Sequence, residues 1–217
     1  MQNYLEFKKK YEKVVISAKR EIEEIELIAV SKKKPIDLIE NVIIDGCKSF
    51  GENQLQELEK KWIPLKEKFP DIKTHFIGGI QSKKTKSIFQ LCNTIHSIDR
   101  FKIVKQIKDL EEELRLQKEY FIQINTGDEE QKFGVSFVEA EKFIDTCMKK
   151  YGLNVKGLMC LPPQDEDPKP HFLKLRDLGK NFKLPFLSMG MSGDYEIALE
   201  CGSTHIRIGS LIFGKRD

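Results

Sequence analysis

The sequence predicts an α/β fold, a (β/α)8 barrel preceded by one extra N-terminal helix. Three observations predict it. Short apolar runs of strand length recur along the whole chain, each followed by a longer amphipathic stretch of helical period. Counted in order they give eight strands separated by seven helices, the number a barrel needs. No low-complexity linker or charge block divides the 217 residues, so a single domain with one sizeable core is expected. A doubly wound open sheet is the competing architecture.

The leading helix is expected over about Leu5 to Glu24, with Val14, Val15, Ala18, Ile22 and Ile25 as its inward stripe. The first strand, Glu26 to Ser31, is an aliphatic run that ends in base, and Pro35 then opens a helix over Ile36 to Asp45, at a position where its missing N–H costs nothing. Further strands are expected near Lys48 to Phe50, Thr74 to Ile77, Thr94 to Ile98, Tyr120 to Asn125, Val155 to Leu158, Pro185 to Ser188 and His205 to Ile208. The helices between them fall near Gln54 to Glu67, Lys83 to Leu91, Phe101 to Leu116, Phe137 to Tyr151, Lys169 to Phe182 and Tyr195 to Glu200, with a last short helix over Ser210 to Phe213.

Composition narrows the function classes. The 37 basic and 34 acidic residues are interspersed and leave a net charge of only +3, so nothing calls for a nucleic-acid partner. Five cysteines, Cys47, Cys92, Cys147, Cys160 and Cys201, are odd in number, widely spaced and never in a C-x-x-C arrangement. That argues against a disulfide framework or a zinc site and for a reducing cytoplasm. The N-terminus is charged from its first residues and lacks an apolar targeting core, and the aliphatic runs are too short to span a membrane. A soluble, untargeted cytoplasmic protein is expected.

Parallel sheets place their functional groups just beyond the carboxyl ends of the strands, so the strand exits are the candidate site. Counting by two along the first strand, Ile28, Val30 and Lys32 share one face, and Lys32 continues an apolar interior row. Taken alone it also fits a lysine snorkelling at a strand end. Two late exits have the composition of a phosphate cup. In Ser188-Met-Gly-Met-Ser192-Gly193 the glycines permit close backbone approach and Ser192 offers a hydroxyl ahead of a helix. In Arg207-Ile-Gly209-Ser210 the amides of Gly209 and Ser210 open a short helix and can point at an anion. Each loop alone also fits an ordinary turn or helix cap, and Arg207 alone a surface ion pair. Closure of a barrel brings the first strand beside the last two, and a lysine facing an anion cup suits a phosphorylated aldehyde, with lysine forming an imine and backbone amides holding the phosphate.

Five motifs carry a resemblance. Ala29-Val-Ser-Lys32, Phe50-Gly-Glu-Asn53, His75-Phe-Ile-Gly78, Leu187-Ser-Met-Gly-Met-Ser192 and Gly202-Ser-Thr-His-Ile-Arg-Ile-Gly209 occur in that order, and the chain from about residue 5 to Asp217 resembles the pyridoxal phosphate homeostasis protein family, also called YggS or PROSC proteins. The resemblance implies a single-domain modified TIM barrel, similar to the N-terminal domain of alanine racemase, that binds pyridoxal 5′-phosphate (PLP). It implies a Schiff base on Lys32, a phosphate held by Ser192, Gly209 and Ser210, Arg207 facing the pyridine nitrogen, and Asn53 lining the ring or its hydroxyl. Ser210 stands where many members carry threonine, which keeps the hydroxyl. The loop after Gly78 reads Gly79-Ile-Gln-Ser-Lys83-Lys84, where the family often has an asparagine before the final lysine, so no role is carried over to Lys83.

The implied arginine bears on function. It stays protonated, disfavours protonation of the pyridine nitrogen beside it and weakens the ring as an electron sink. Racemisation needs acid and base groups on both faces of the substrate carbon, and Lys32 serves only one. The expectation is therefore a PLP carrier or homeostasis protein, with no assigned catalytic residue, that handles intracellular PLP and has apo-PLP enzymes as candidate recipients. A PLP-dependent amino-acid racemase is the alternative, and a PLP-responsive regulatory module a third. The chain offers no room for the second domain on which the racemase dimer relies, so a monomer is expected.

Other residues have plainer readings. His75, His96, His171 and His205 form no metal-binding spacing, and His75 reads as a core histidine. Cys160 follows a strand exit but reads as a buried, inert thiol, and Tyr195 as a packing aromatic. The Glu111-Glu-Glu113 run and Lys8 to Lys10 read as solvated helix faces, while Lys132 lies in a loop that either covers the barrel mouth or simply carries surface charge.

Overall fold

Each apolar run becomes a strand that pairs in parallel with its neighbour, and the last strand pairs with the first. The computed structural model describes residues 4–127 and 133–214, which excludes Lys132. Among the described residues the strands are β1 (Glu26–Val30), β2 (Ser49–Glu52), β3 (Lys73–Phe76), β4 (Thr94–Ile98), β5 (Glu119–Asn125), β6 (Val135–Ser136), β7 (Val155–Cys160), β8 (Phe186–Met191) and β9 (His205–Ile208). Eight of them form a ring in the order β1-β2-β3-β4-β5-β7-β8-β9, closed by parallel pairing of β9 with β1, Ile28 opposite Arg207 and Ala29 opposite Ile208. This closed barrel replaces the competing open sheet. The two-residue β6, which adds to the C-terminal end of β5 through Ile124 and Asn125, is too short to leave a periodic trace in the sequence.

Period-two alternation sorts the strand residues into two layers. Ala29, Phe50, Phe76, Ile95 and Ile206 face outward into one continuous apolar cluster with the helices. Ile28, Val30 and Ile77 face inward, where a Cβ added to Gly51 would meet all three side chains. The interior also holds an aromatic stack. His96 lies flat on Phe121 with ring centroids 4.2 Å apart, and His205 meets Phe121 edge-on at 4.9 Å.

The helices are α1 (Tyr4–Ser17), α2 (Ile36–Ile44), α3 (Leu55–Glu57), α4 (Ile63–Lys68), α5 (Thr85–Leu91), α6 (Phe101–Leu114), α7 (Phe137–Asp145), α8 (Pro168–Asn181), α9 (Tyr195–Glu200) and α10 (Ser210–Phe213). Helix α1 buries Tyr4, Phe7, Tyr11 and Val15, each contributing roughly 2 kcal/mol by leaving water, and it stops seven residues before the expected end. Lys19 there adopts the left-handed conformation at φ 56°, and Arg20 N donates to Val15 O, so the turn closes on itself. The same closure recurs at Arg115 after α6 and Lys183 after α8. Glycine usually marks this position, and a basic side chain there gave no stop signal, although it suits the negative end of the helix. Pro35 caps α2 in an extended conformation, one residue earlier than expected.

Two other expectations change. The helix expected over Gln54 to Glu67 is interrupted by a π-helical turn, Leu58–Trp62, which turns Lys61 and Trp62 inward. Glu111, expected in solvent, is 7% exposed, accepting from the Tyr120 hydroxyl at 2.8 Å and pairing with Lys108 at 2.7 Å. All five cysteines are buried and unpaired. Among the described residues no helix is long and apolar enough to cross a membrane, and no cluster of His, Cys, Asp and Glu suits a metal ion.

Candidate functional site

The segment after β1 is gripped on both sides of Lys32. Ser31 is fully buried and donates its hydroxyl to Glu52 Oε1 at 2.7 Å, while its carbonyl accepts from Lys61 Nζ at 2.8 Å. Lys61 also donates to Glu52 Oε1 at 3.0 Å and pairs with Glu57. Glu57 Oε2 in turn accepts from the Lys33 amide at 2.6 Å. Lys33 sits at φ 60°, a conformation that costs a lysine on the order of 1 kcal/mol and that this network holds in place. Burial pushes the Glu52 carboxyl above the usual carboxylate range, against the pull of Lys61 and Ser31. With Ser31 turned outward, alternation turns Lys32 into the barrel mouth.

Across the seam, β8 runs three residues further than expected and ends at Met191, so Ser188 is a buried mid-strand residue and only Ser192 and Gly193 of the expected loop lie in the turn. Gly190 is required just before that turn. Its φ of +95° favours glycine, and a Cβ there would lie 2.6 Å from the Ala198 Cβ. Asp194 Oδ1 accepts from the Met191 amide at 2.5 Å and fixes the turn. The Gly209 amide donates to Ser192 Oγ at 3.3 Å and ties the turn to the start of α10, where Ser210 is the first helical residue.

One cavity of about 460 Å³, within the size range of small-molecule sites, brings together Lys32, Asn53, Ser192, Arg207, Gly209 and Ser210. The topology explains the assembly, because β2, β1, β9 and β8 are consecutive in the ring and each supplies its exit residues. Asn53 is held by the close approach of Gly78, where any Cβ would collide with the Asn53 carbonyl oxygen. Arg207 is 3% exposed, not a surface residue, and donates to Ser188 Oγ at 2.7 Å and Cys160 O at 2.9 Å. Among the described lining residues the titratable groups are Lys32, Lys34 and Arg207, all basic.

Sequence reasoning missed Gln123 and Phe133. Gln123 is a polar residue set between Ile122 and Ile124 inside the strand, a usable signal, and it lines the cavity while donating to Phe133 O at 3.0 Å. Phe133 lies on a loop and carries no such signal, yet its ring covers Gly79. Lys83 is exposed in a 3-10 turn outside the cavity lining. Tyr195 packs edge-on against Phe7, ring centroids 5.9 Å apart. Burial pushes the Cys160 thiol up to about 12, so it is inert at neutral pH.

Comparison with known proteins accords with this geometry. A family model described as alanine racemase, N-terminal domain, matches residues 10–217. The chain is 37% identical over 199 residues to the pyridoxal phosphate homeostasis protein of Aquifex aeolicus, covering 88% of this chain and 86% of that one. It is 34% identical over 207 residues to the Escherichia coli K12 protein of the same name, covering 91% and 88%. Among solved structures, PipY of Synechococcus elongatus with PLP bound matches at a TM-score of 0.81 and 26% identity, over 93% of this chain and 99% of PipY. Alanine racemase from Corynebacterium glutamicum, at 15% identity and a TM-score of 0.69, shares the fold over 94% of this chain and 58% of the racemase. The chain therefore belongs to the alanine racemase N-terminal domain family and, within it, to the pyridoxal phosphate homeostasis proteins.

Proposed function

We propose that this chain binds PLP in the barrel-mouth cavity, linked through a Schiff base to Lys32, and takes part in intracellular PLP homeostasis as a carrier rather than an amino-acid racemase. The observation that carries the proposal is the charge of the cavity: its described titratable groups are all basic, beside glycines and the serines Ser192 and Ser210 on walls that also carry apolar side chains. Such a site suits a dianionic phosphate on an aldehyde. Ser192, Gly209 and Ser210 would take the phosphate, Arg207 the pyridine nitrogen and Asn53 the ring or its hydroxyl. Condensation of the Lys32 amine with the aldehyde releases water and removes free aldehyde from solution.

Arg207, already hydrogen-bonded to neutral acceptors, would keep the pyridine nitrogen unprotonated and the electron sink weak. Racemisation would further need a proton donor on the face opposite Lys32, and no carboxylate, tyrosine or histidine is among the described lining residues. The proposal further takes the protein to be a single-domain, cytoplasmic monomer, with apo-PLP enzymes as recipients of its cargo. Incubated with PLP, the protein should turn yellow, Lys32→Ala should not, and no amino acid should gain solvent deuterium at its α-carbon. Lys32-dependent deuterium exchange at a useful turnover rate would overturn the carrier assignment in favour of a racemase.

A further inference from the structure

Arg207 is enclosed in the barrel, and among the described residues its guanidinium donates to two neutral acceptors, Ser188 Oγ and Cys160 O. Burial acts against the charged form, opposed by Cys160 and Asp194. From Ser188 a row of polar contacts continues down the barrel interior. Ser188 Oγ lies 2.9 Å from His96 Nδ1, and His96 Nε2 lies 3.0 Å from His75 Nδ1. His75 Nε2 lies 3.3 Å from Glu26 Oε1, at the opposite end of the barrel from the cavity. These residues sit on β9, β8, β4, β3 and β1, and β4 meets β8 only across the interior because the two are not neighbours in the ring. Ser188 and His96 are fully buried and His75 is 1% exposed, whereas the Glu26 side chain is 27% exposed.

The two ends fix the polarity of the row. A guanidinium only donates and a carboxylate only accepts. Ser188 Oγ accepts from Arg207, which leaves its own proton for His96 Nδ1. His96 then carries its proton on Nε2 and donates to His75 Nδ1, and His75 carries its proton on Nε2, toward Glu26. That last step is the loosest, since the pair is close but poorly aligned, and among the described residues no other acceptor meets His75 Nε2. The reverse polarity would make Ser188 accept from both neighbours and strand its proton, and it would require an imidazolium at His75 in an interior that already holds Arg207. Glu26 is steadied by Ser49, whose hydroxyl donates to Oε1 at 2.5 Å, and His205 stands 3.6 Å from Oε2. The cluster is no metal site, as no grouping of the described residues suits one.

We propose that Ser188, His96, His75 and Glu26 form a one-way hydrogen-bond chain that positions Arg207 in the cavity before any ligand arrives and answers its charge with a carboxylate at the far end of the barrel. They are positioning residues, acting on the ligand only through Arg207. Only the final link, from Arg207 to a pyridine nitrogen, rests on the PLP proposal. Preorganisation of this kind removes the cost of ordering a buried cation when the ligand arrives.

The test is histidine nitrogen NMR on the cofactor-free protein at neutral pH, with PLP titrations alongside. His75 and His96 should both be neutral with the proton on Nε2. An imidazolium at His75, or a proton on His96 Nδ1, would overturn the chain. Ser188→Ala should disturb the His96 tautomer and weaken PLP binding roughly tenfold, as expected for members of one network, and Ser188→Thr, which keeps the hydroxyl, should restore both. An alanine variant that changes neither would also overturn it. Wild-type protein with the expected tautomers but no uptake of PLP would support the chain while overturning the cofactor assignment, so the two fail separately.

Discussion

Lys32 owes its position to residues that never enter the cavity. Counting by two along β1 was enough to assign it to the interior row, because a one-residue slip would have sent Ser31 inward instead. What the sequence did not reveal is the grip on either side. Glu52, 1% exposed, was legible only as part of a motif, and Lys61 as one charge on a helix. Their pairing depends on the π-helical turn that brings Lys61 around to Ser31 and Glu52. Lys61→Ala should leave a carboxylate buried without its partner and cost about 3 to 5 kcal/mol in urea unfolding, with part of the loss recovered by adding Glu52→Gln. A loss below about 1 kcal/mol would show that the network is incidental.

At the scale of elements, strand existence was far more legible than helix termination. Strands β1, β3, β4, β5 and β9 fall within one residue of expectation at each end because their apolar runs are bounded by turn residues. Strands β7 and β8 run further because Met159, Cys160 and Met189 continue the buried rows through positions that composition alone made look like loop. Helix ends were misplaced where Lys19, Arg115 and Lys183 stand in for glycine. The candidate segment from Ser188 to Gly193 divides in the structure, since Ser188 belongs to the barrel interior and Ser192 to the mouth. Residues in the chain from Arg207 to Glu26 lie on five strands, and a relation among five strands leaves no local pattern to read.

At the scale of the whole molecule, a barrel that encloses histidines carries a pH dependence. Burial holds His205 at about 4, outweighing the attraction of Glu26, with His75, Arg207 and Lys73 pushing the same way as burial. An unfolded histidine takes up a proton near 6.5. Between roughly pH 6.5 and 4 the unfolded chain therefore binds a proton that the folded chain refuses, and stability falls as pH drops through that window while it is unaffected above it. From pH 7 to pH 5 the loss from His205 alone is about 2 kcal/mol. His96, held far below its ordinary value by burial and by the neighbouring His75, His205 and Arg207, adds to the loss. Glu26 is resisted by burial but held below the carboxylate range by His75, Ser49 and His205, so its contribution is present above roughly pH 4 and is lost only as pH falls further. Urea unfolding at pH 7 and pH 5 checks this, and equal stabilities at the two values would contradict it.

The central claim is that the cavity amine and a phosphorylated aldehyde meet at Lys32. Its most direct measurement is borohydride reduction of the protein after incubation with PLP, followed by mass analysis of the digested peptides. One stoichiometric pyridoxyl group is expected on the peptide bearing Lys32, absent from Lys32→Ala. A label spread over surface lysines, or found at Lys34 with Lys32 unmodified, would contradict it.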